Sequence, residues 1–154
     1  MMKTSLILVL IALFTVNESF KAKVIGVTSG DSIVVLLDNK TQVKVRLEGI
    51  DCPELLQEYG DSAKMETVEL CFKKRVRVEK VGQDQYGRTL AFVYVDDICI
   101  NKELLRKGLA WHYVKFNSDP ELAQLETDAR NNKVGLWQQA DPVAPWDFRY
   151  KKKE

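Results

Sequence analysis

The segment Arg46–Glu54 brings acidic and basic residues to the end of a predicted strand. Arg46 leaves the polar face of that strand, Asp51 and Glu54 follow its end, and Cys52-Pro53 disfavours helix there. Carboxylate oxygens are ligands for a hard cation such as calcium, and the planar fork of arginine suits phosphate oxygens. These residue types fit metal-assisted phosphoryl chemistry, but spacing alone favours an ordinary surface ion-pair cluster.

Two other turns carry residues of the same kinds. In Gly30-Asp31-Ser32 the aspartate is ordinarily a turn former, yet here it precedes a buried strand and could present a metal ligand at the sheet edge. The segment Asp84–Arg88 contains a tight turn and could bring Arg88 to a phosphate from another loop. Two arginines that converge on one phosphate would stabilise a charged transition state.

The aromatic segment Gly108–Phe116 has two interpretations. Its rings are either core residues beside a helix cap at Gly108 or a stacking wall for a nucleotide base, with Lys115 near phosphate. The single histidine of the chain, His112, lies in this segment. Because it has no partner motif, a surface or packing role is favoured over catalysis.

The elements that must position these residues are short strands and helices. Strand patterns cover residues 20–27, 33–37, 43–47 and 89–95 and begin again at 76, and helical patterns cover 61–73, 101–107 and a stretch that starts near 118. Met65, Val68 and Phe72 recur at helical spacing in the first helix, and Ser118 is predicted to form a capping box with Glu121. This order predicts an α+β fold with a small closed or nearly closed barrel.

The length of 154 residues fits one domain with one core, preceded by an apolar leader. The formal net charge of +1 says little about partners, so an anion-binding site must come from local clustering. Lys3 precedes the apolar run Leu6–Phe14, which is typical of a secretory signal rather than of a buried strand or helix. We therefore expect a signal peptide over 1–19, a domain over 20–148 and a basic tail over 149–154, with a retained membrane anchor as the alternative for the leader.

Three cysteines, Cys52, Cys71 and Cys99, leave at least one thiol unpaired in a monomer. Export would allow a Cys71–Cys99 bridge, which the sequence does not decide. Their spacing matches no zinc pattern. We interpret them first as small core residues.

Taken together, these features resemble the staphylococcal (micrococcal) nuclease family. The resemblance extends from Phe20 to Phe148 and rests on the order and spacing of several short motifs. They are Gly30-Asp31-Ser32, Arg46-x-x-Gly49-Ile50-Asp51-x-Pro53-Glu54, Tyr86-Gly87-Arg88, Gly108-Leu109-Ala110 and Gly135-Leu136-Trp137. The resemblance implies a five-stranded OB-fold β-barrel with three α-helices.

The resemblance also implies roles for individual residues. The calcium ligands would be Asp31, Asp51 and the backbone carbonyl of Cys52, and the residue that orients or deprotonates the attacking water would be Glu54. The phosphate clamps would be Arg46 and Arg88, and the substrate-binding residues would be Gln85, Tyr86, Tyr113, Lys115 and Phe116. Two departures concern substrate binding, because Gln85 stands where well-known members have lysine and the aromatic wall is one residue out of step.

The function implied is a calcium-dependent nuclease that hydrolyses phosphodiester bonds of DNA and RNA. We expect a monomeric enzyme with little sequence specificity and a preference for single strands. Its products are expected to end in 3′-phosphate. The expected location is outside the cell or in the periplasm or cell envelope. The alternative is a non-catalytic nucleic-acid-binding module of the same fold, which the presence of every active-site residue type disfavours.

Overall fold

The computed structural model describes residues 18–153, so the predicted leader lies almost entirely outside the described residues. The strands are β1 Ser19–Ser29, β2 Ser32–Leu36, β3 Gln42–Leu47, β4 Ile50–Asp51, β5 Arg75–Gln83, β6 Thr89–Val95, β7 Ile98–Cys99 and β8 Trp111–His112. The helices are α1 Gly60–Cys71, α2 Ile100–Arg106, α3 Pro120–Asn131 and α4 Pro145–Lys151, with a 3-10 helix at Gly135–Gln138. Over this part of the chain no helix has the length and apolar character that crossing a membrane requires.

Five of the strands form a closed barrel. They pair in the order β3-β2-β1-β5-β6, with antiparallel neighbours, and a parallel pairing of β3 with β6 closes the ring. Side chains alternate along the strands, so that Ala22 and Val24 of β1 and Val76 and Val78 of β5 are fully buried. The prediction of a five-stranded barrel in an α+β fold is confirmed.

The first helix packs on the barrel through small residues. Its buried residues are Gly60, Ala63, Thr67 and Cys71. Met65 and Phe72, which the helical spacing placed on an apolar face, are instead exposed. The reason is close packing, because a Cβ atom added to Gly30 would lie 2.7 Å from the Cβ of Ala63, and a larger side chain on this face would not fit.

All three cysteines are buried and unbridged. Cys71, the last residue of α1, lies in the main core, and its thiol donates to the carbonyl of Thr67 at 3.1 Å. Burial raises the pKa of the Cys71 thiol to about 12. The thiols therefore act as small core side chains in this fold.

The glycine that ends α2 joins it to the C-terminal part of the fold. Gly108 has φ +62°, the N–H of Gly108 donates to Leu105, and the N–H of Leu109 donates to Leu104, which is the predicted helix cap. The carbonyl of Gly108 accepts from the N–H of Leu136 at 2.8 Å. Two separate glycine motifs of the sequence thus meet in one contact.

The C-terminal part differs from the prediction in two details. The residue that caps α3 is Asp119, whose carboxylate accepts from the N–H of Glu121 at 2.8 Å, so the predicted capping box on Ser118 is wrong. Ser118 lies one residue before the position from which a side chain caps this helix. The short helix α4 adds a fourth helix to the predicted three.

Candidate active site

The site lies where three segments of the barrel meet, at the turn between β1 and β2. Asp31 occupies this turn, and its backbone carbonyl accepts from the N–H of Leu47 at the end of β3, at 2.8 Å. Its Oδ2 accepts from the N–H of Cys52 at 2.7 Å. Asp31 is therefore held by the segment Arg46–Glu54. The contact is made through Cys52, which follows Asp31 by 21 residues.

The second oxygen of Asp31 is held by the hydroxyl groups of Ser29 and Ser32, at 2.9 and 3.2 Å. The glycine before it permits this arrangement, since a Cβ on Gly30 would lie 2.9 Å from the sulfur of Cys52. Asp31 is 6% exposed as a residue. A buried carboxylate that is fully hydrogen-bonded in this way is set in place before any ligand binds.

Arg46 connects the two aspartates. Its guanidinium lies 3.1 Å from Asp31 Oδ2 and 2.9 Å from Asp51 Oδ1, and it also donates to the carbonyls of Leu47 and Ile50 at 3.2 and 3.0 Å. Its side chain is 12% exposed. Burial alone would lower the pKa of Arg46, but the two carboxylates outweigh it and raise the pKa. Arg46 is thus a charged guanidinium held inside the site by fixed acceptors.

A residue of the C-terminal helix also enters the site. Arg149 of α4 donates to both oxygens of Asp51, at 3.2 and 2.7 Å, and to Glu54 Oε1 at 2.7 Å. The side chain of Asp51 is 1% exposed, and burial raises its pKa, an effect that the hydrogen bonds from Arg149 oppose. Arg149 is the site residue that sequence reasoning missed, because it stands at the start of the segment predicted to be a solvated basic tail.

Glu54 is the more accessible carboxylate of the site. Its side chain is 40% exposed, and its backbone N–H donates to Gln57 Oε1 at 2.8 Å. The amide of Gln57 in turn donates to the carbonyl of Val143, ahead of α4. A carboxylate open to solvent beside the buried Asp51 is in a position to meet a water molecule.

Arg88 arrives from the loop between β5 and β6. Its Nε donates to Asp84 Oδ2 at 2.7 Å, while Asp84 Oδ1 accepts from the N–H groups of Tyr86 and Arg88, each at 2.9 Å. Burial is the largest single influence on the pKa of Asp84 and would raise it, but the hydrogen bonds from Arg88 and Tyr86 together outweigh burial and lower the pKa. The pairing of Val45 with Thr89 sets this loop beside β3, which carries Arg46.

The aromatic segment lies beside the carboxylates because β8 pairs with β4. Asp51 faces Trp111 in this pairing, and the N–H of Tyr113 donates to the carbonyl of Gly49 at 2.9 Å. The ring of Tyr113 stacks on Trp146 of α4 with centroids 5.3 Å apart and meets Phe116 edge-on at 4.8 Å. The wall of the site is therefore made of both the predicted segment and α4.

These residues line one cleft of about 780 Å³. Its lining includes every predicted catalytic and metal-ligating residue, four of the five predicted substrate-binding residues, and Arg149: Asp31, Arg46, Asp51, Cys52, Glu54, Gln85, Tyr86, Arg88, Tyr113, Phe116 and Arg149. Lys115 is outside this lining and stands 5.4 Å from the ring centroid of Phe116. Tyr86 is 75% exposed, so its ring is open to a ligand.

His112 is buried in β8, with Nε2 3.2 Å from Asn117 Oδ1. Its backbone N–H donates to Glu126 of α3. The imidazole is therefore part of the packing between β8 and the segment that leads into α3. It is absent from the lining of the cleft.

The oxygen donors of the cleft suit a hard divalent cation. Asp31 and Asp51 bind the same guanidinium, so both carboxylates lie around Arg46 in one cleft, and carboxylate and carbonyl oxygens are the ligands that calcium prefers. Within residues 18–153 no group of three or more histidine, cysteine, aspartate or glutamate side chains is arranged to hold a metal. The two aspartates would need further oxygens from the backbone, from water or from the substrate.

Comparison with known proteins identifies relatives over most of the chain. Residues 44–139 match the family model described as "Staphylococcal nuclease homologue". A Haemophilus influenzae protein named "Uncharacterized endonuclease" is 34% identical over 151 residues, which cover 97% of this chain and 85% of the relative. An Escherichia coli O157:H7 protein of the same name is 41% identical over 131 residues, covering 84% and 85%. The Arabidopsis thaliana "Staphylococcal-like nuclease CAN1" is 38% identical over 110 residues, covering 71% of this chain and 34% of the relative.

Proposed function

Because the chain belongs to the family of staphylococcal nuclease homologues, we propose that it is a nuclease whose activity requires calcium. Relatives matched over most of their length are named endonucleases, which supports hydrolysis of nucleic acid as the reaction. The observation that carries the proposal for this chain is the cleft. It holds a pair of buried aspartates joined by Arg46, an accessible glutamate, a second arginine and exposed aromatic rings.

Glu54, Arg88 and Arg46 have different roles in the proposed reaction. Glu54 accepts a proton from the attacking water or orients it, since its carboxylate is accessible to solvent and a positioned carboxylate can act as a general base. Arg88 and Arg46 donate to the phosphate oxygens on which negative charge accumulates in the transition state. Arg46 also holds Asp31 and Asp51 side by side.

Asp31, Asp51 and the backbone carbonyl of Cys52 are the residues that would hold calcium. The N–H of Cys52 donates to Asp31, which fixes the position of this residue, and the proposal uses the backbone carbonyl of Cys52 rather than its buried side chain. When bound, calcium would supply a Lewis acid that polarises the phosphate and neutralises charge. The donor set of hard oxygens is the support for this choice of cation.

The proposed substrates are DNA and RNA, with single strands favoured and with 3′-phosphate ends as products. Tyr86 and Phe116 are exposed at the cleft, and Tyr113 stands between Phe116 and Trp146. Aromatic faces stack on any base, so such a wall supports binding with little sequence specificity. Gln85 lines the same cleft and offers a neutral contact to the strand.

The experiment that tests the proposal uses a fluorescent single-stranded oligonucleotide with calcium or with excess chelator. Binding is read from anisotropy and cleavage from the product ends in the same samples. The proposal expects cleavage in calcium and loss of cleavage in chelator. It also expects products that accept a label at their 3′ end only after removal of a 3′-phosphate. Undiminished cleavage in chelator would reject the role of the metal, and binding without cleavage under all conditions would favour the non-catalytic module.

A second part of the proposal concerns location. The apolar run Leu6–Phe14 after Lys3 supports export to the cell envelope or the medium. A mass spectrum of the protein recovered from outside the cytoplasm would give the mature N-terminus. A protein found only in the cytoplasm with its leader intact would contradict this part.

A further inference from the structure

The contact between Arg149 and the acidic residues of the cleft joins distant parts of the chain. Arg149 follows Asp51 by 98 residues and Glu54 by 95, yet its guanidinium binds both carboxylates at distances down to 2.7 Å. Each of its two terminal nitrogens has an acidic partner. The guanidinium of an arginine is always charged in a protein, so Arg149 is a permanent cation.

The hydrogen bonds of Asp51 show what a metal ion would have to replace. Asp51 Oδ1 accepts from both Arg46 and Arg149, whereas within the described residues Oδ2 accepts from Arg149 alone. Because Arg149 is bound to both oxygens, a cation that takes Asp51 as a ligand meets the positive charge of Arg149 at either one, which favours exchange of Arg149 for the ion. Asp31 differs in its partners, because the bonds recorded for it come from hydroxyl and backbone groups of the barrel and from Arg46, and none comes from Arg149.

The two guanidinium groups differ in how firmly they are held. Arg46 is 12% exposed and also donates to two backbone carbonyls, so the barrel itself fixes its place. Arg149 is 39% exposed, and its recorded acceptors are the carboxylates of Asp51 and Glu54. Arg149 is the group that can leave Asp51 without disturbing the barrel.

The helix that carries Arg149, α4, packs on Tyr113, which lines the cleft. Trp146 stands one turn before Arg149, stacks on Tyr113 with ring planes 2° apart, and meets Trp111 edge-on at 5.6 Å. Ala144 and Pro145 at the start of α4 are buried. This attachment keeps the guanidinium within reach of the carboxylates even when it is displaced from one of them.

We propose that Arg149 is a positioning residue that takes the place of the divalent cation at Asp51 and Glu54 and gives up Asp51 when the cation binds. In the absence of the ion, Arg149 compensates two neighbouring acidic groups that would otherwise repel each other. Its positive charge lowers the affinity of the site for the ion, so the strength of calcium binding depends on α4. This inference rests on the proposed role of calcium in the cleft.

The test is a direct calcium titration of the folded protein, without nucleic acid, by isothermal titration calorimetry. Arg149→Gln is expected to bind calcium roughly tenfold more tightly than the wild type, because a positive charge that competes for Asp51 is gone. Arg149→Lys keeps the charge without the planar fork and is expected to bind calcium with an affinity between the two. The matched control is Lys151→Gln, which removes the same charge from the same helix and is expected to change the affinity less than about twofold.

Thermal unfolding with and without calcium separates this role from a purely structural one. If Arg149 yields Asp51 to the ion, calcium raises the Tm of Arg149→Gln by more than it raises the Tm of the wild type. An equal or weaker calcium affinity in Arg149→Gln would overturn the proposal. It would mean that Arg149 has only a structural role and does not compete with calcium for Asp51. If Arg149→Gln does not fold, a calcium affinity of Arg149→Lys equal to or weaker than that of the wild type overturns it.

Two further outcomes distinguish this inference from the proposed function. Asp51→Asn is expected to abolish calcium binding, and binding that survives this change would place the ion elsewhere and overturn the inference. If neither the wild type nor any variant binds calcium, the inference and the calcium role fail together. Cleavage by the wild type in the same buffer then decides separately whether the nuclease assignment stands.

Discussion

Arg46 is the residue on which the geometry of the cleft depends most. Its guanidinium bonds to two carbonyls of its own segment and to the two buried aspartates, so it fixes the spacing of the proposed calcium ligands. An isolated ion pair on the surface contributes little, whereas a buried carboxylate that loses its partner is costly. The ion pairs of the segment Arg46–Glu54 are of the buried type, because the side chain of Asp51 is 1% exposed.

Arg88 is the arginine that the loop between β5 and β6 contributes to the cleft. Arg88→Ala is expected to lower kcat/KM for oligonucleotide cleavage by about 10²–10³-fold, because one donor to the developing charge is lost. Asp84→Asn keeps the Arg88 charge and removes only its orienting carboxylate, so a smaller loss of about tenfold is expected. Steady-state kinetics on one oligonucleotide measures both.

The control for this pair is Arg106→Ala, which removes an arginine that is bound to Glu103 on α2 and is absent from the cleft lining. Its rate is expected to match that of the wild type. A loss in Asp84→Asn as large as that in Arg88→Ala would show that Asp84 has a role of its own beyond holding Arg88.

The residues of the predicted site differ in how well the sequence indicates them. Asp31, Asp51 and Glu54 stand in motifs whose order and spacing identify a family, and the structure brings them into one cleft. Arg149 stands in no such pattern, and its partners are 95 and 98 residues away. Local spacing carries no information on a contact of that range, so only the fold could identify it.

At the scale of elements, two glycines hold α2 against the 3-10 helix. A Cβ atom on Gly108 would lie 2.1 Å from the carbonyl oxygen of Val134, and one on Gly135 would lie 2.3 Å from the carbonyl oxygen of Gly108. Both residues have positive φ, at +62° and +57°. The two glycine-leucine motifs therefore form a backbone contact. This contact supports the packing of Trp111 against Trp137, whose ring centroids are 4.5 Å apart.

Gly108→Ala tests this contact. The positive φ alone is expected to cost about 1–3 kcal/mol in the free energy of unfolding, and displacement of the Val134 backbone adds to it. Gly82→Ala is the matched control, since its Cβ would meet only Leu90 Cδ1 at 3.9 Å. Urea denaturation of the two variants measures the difference, and equal stabilities would contradict the account of this junction.

Periodicity predicts the helices of this fold better than it predicts their buried faces. Helices were predicted over 61–73 and 101–107, and α1 and α2 occupy nearly the same ranges. The face of α1 was predicted wrongly, because close approach to Gly30 selects Ala63 and excludes large side chains such as Met65. The short α4 went unpredicted, since its packing through Trp146 rather than any repeating pattern defines it.

At the scale of the whole molecule, closure of the barrel is what assembles the cleft. The parallel pairing of β3 with β6 places Arg46 opposite Leu90, two residues after Arg88. The turn between β1 and β2 supplies Asp31, and β8 brings the aromatic segment alongside β4. The residues proposed to be catalytic thus come from separate strands and loops that one core holds together.

That core contains a thiol whose titration affects stability. Burial raises the pKa of Cys71 from 9.0 to about 12, so the folded state favours the protonated thiol. The stabilisation is complete below the unfolded value and is lost as pH rises from about 9 towards 12. Between pH 8 and 10 the wild type is expected to lose about 1 kcal/mol more in the free energy of unfolding than Cys71→Ala. Urea denaturation at the two pH values measures this, and parallel losses would contradict it.

The most direct test of the account is a comparison of binding and cleavage by Glu54→Gln. Glutamine has the shape of the glutamate without its capacity to accept a proton, so oligonucleotide binding in calcium is expected to stay within a few fold of the wild type. Single-turnover cleavage is expected to fall by about 10²-fold or more. Cleavage near the wild-type rate would contradict the assignment of this cleft as the catalytic centre.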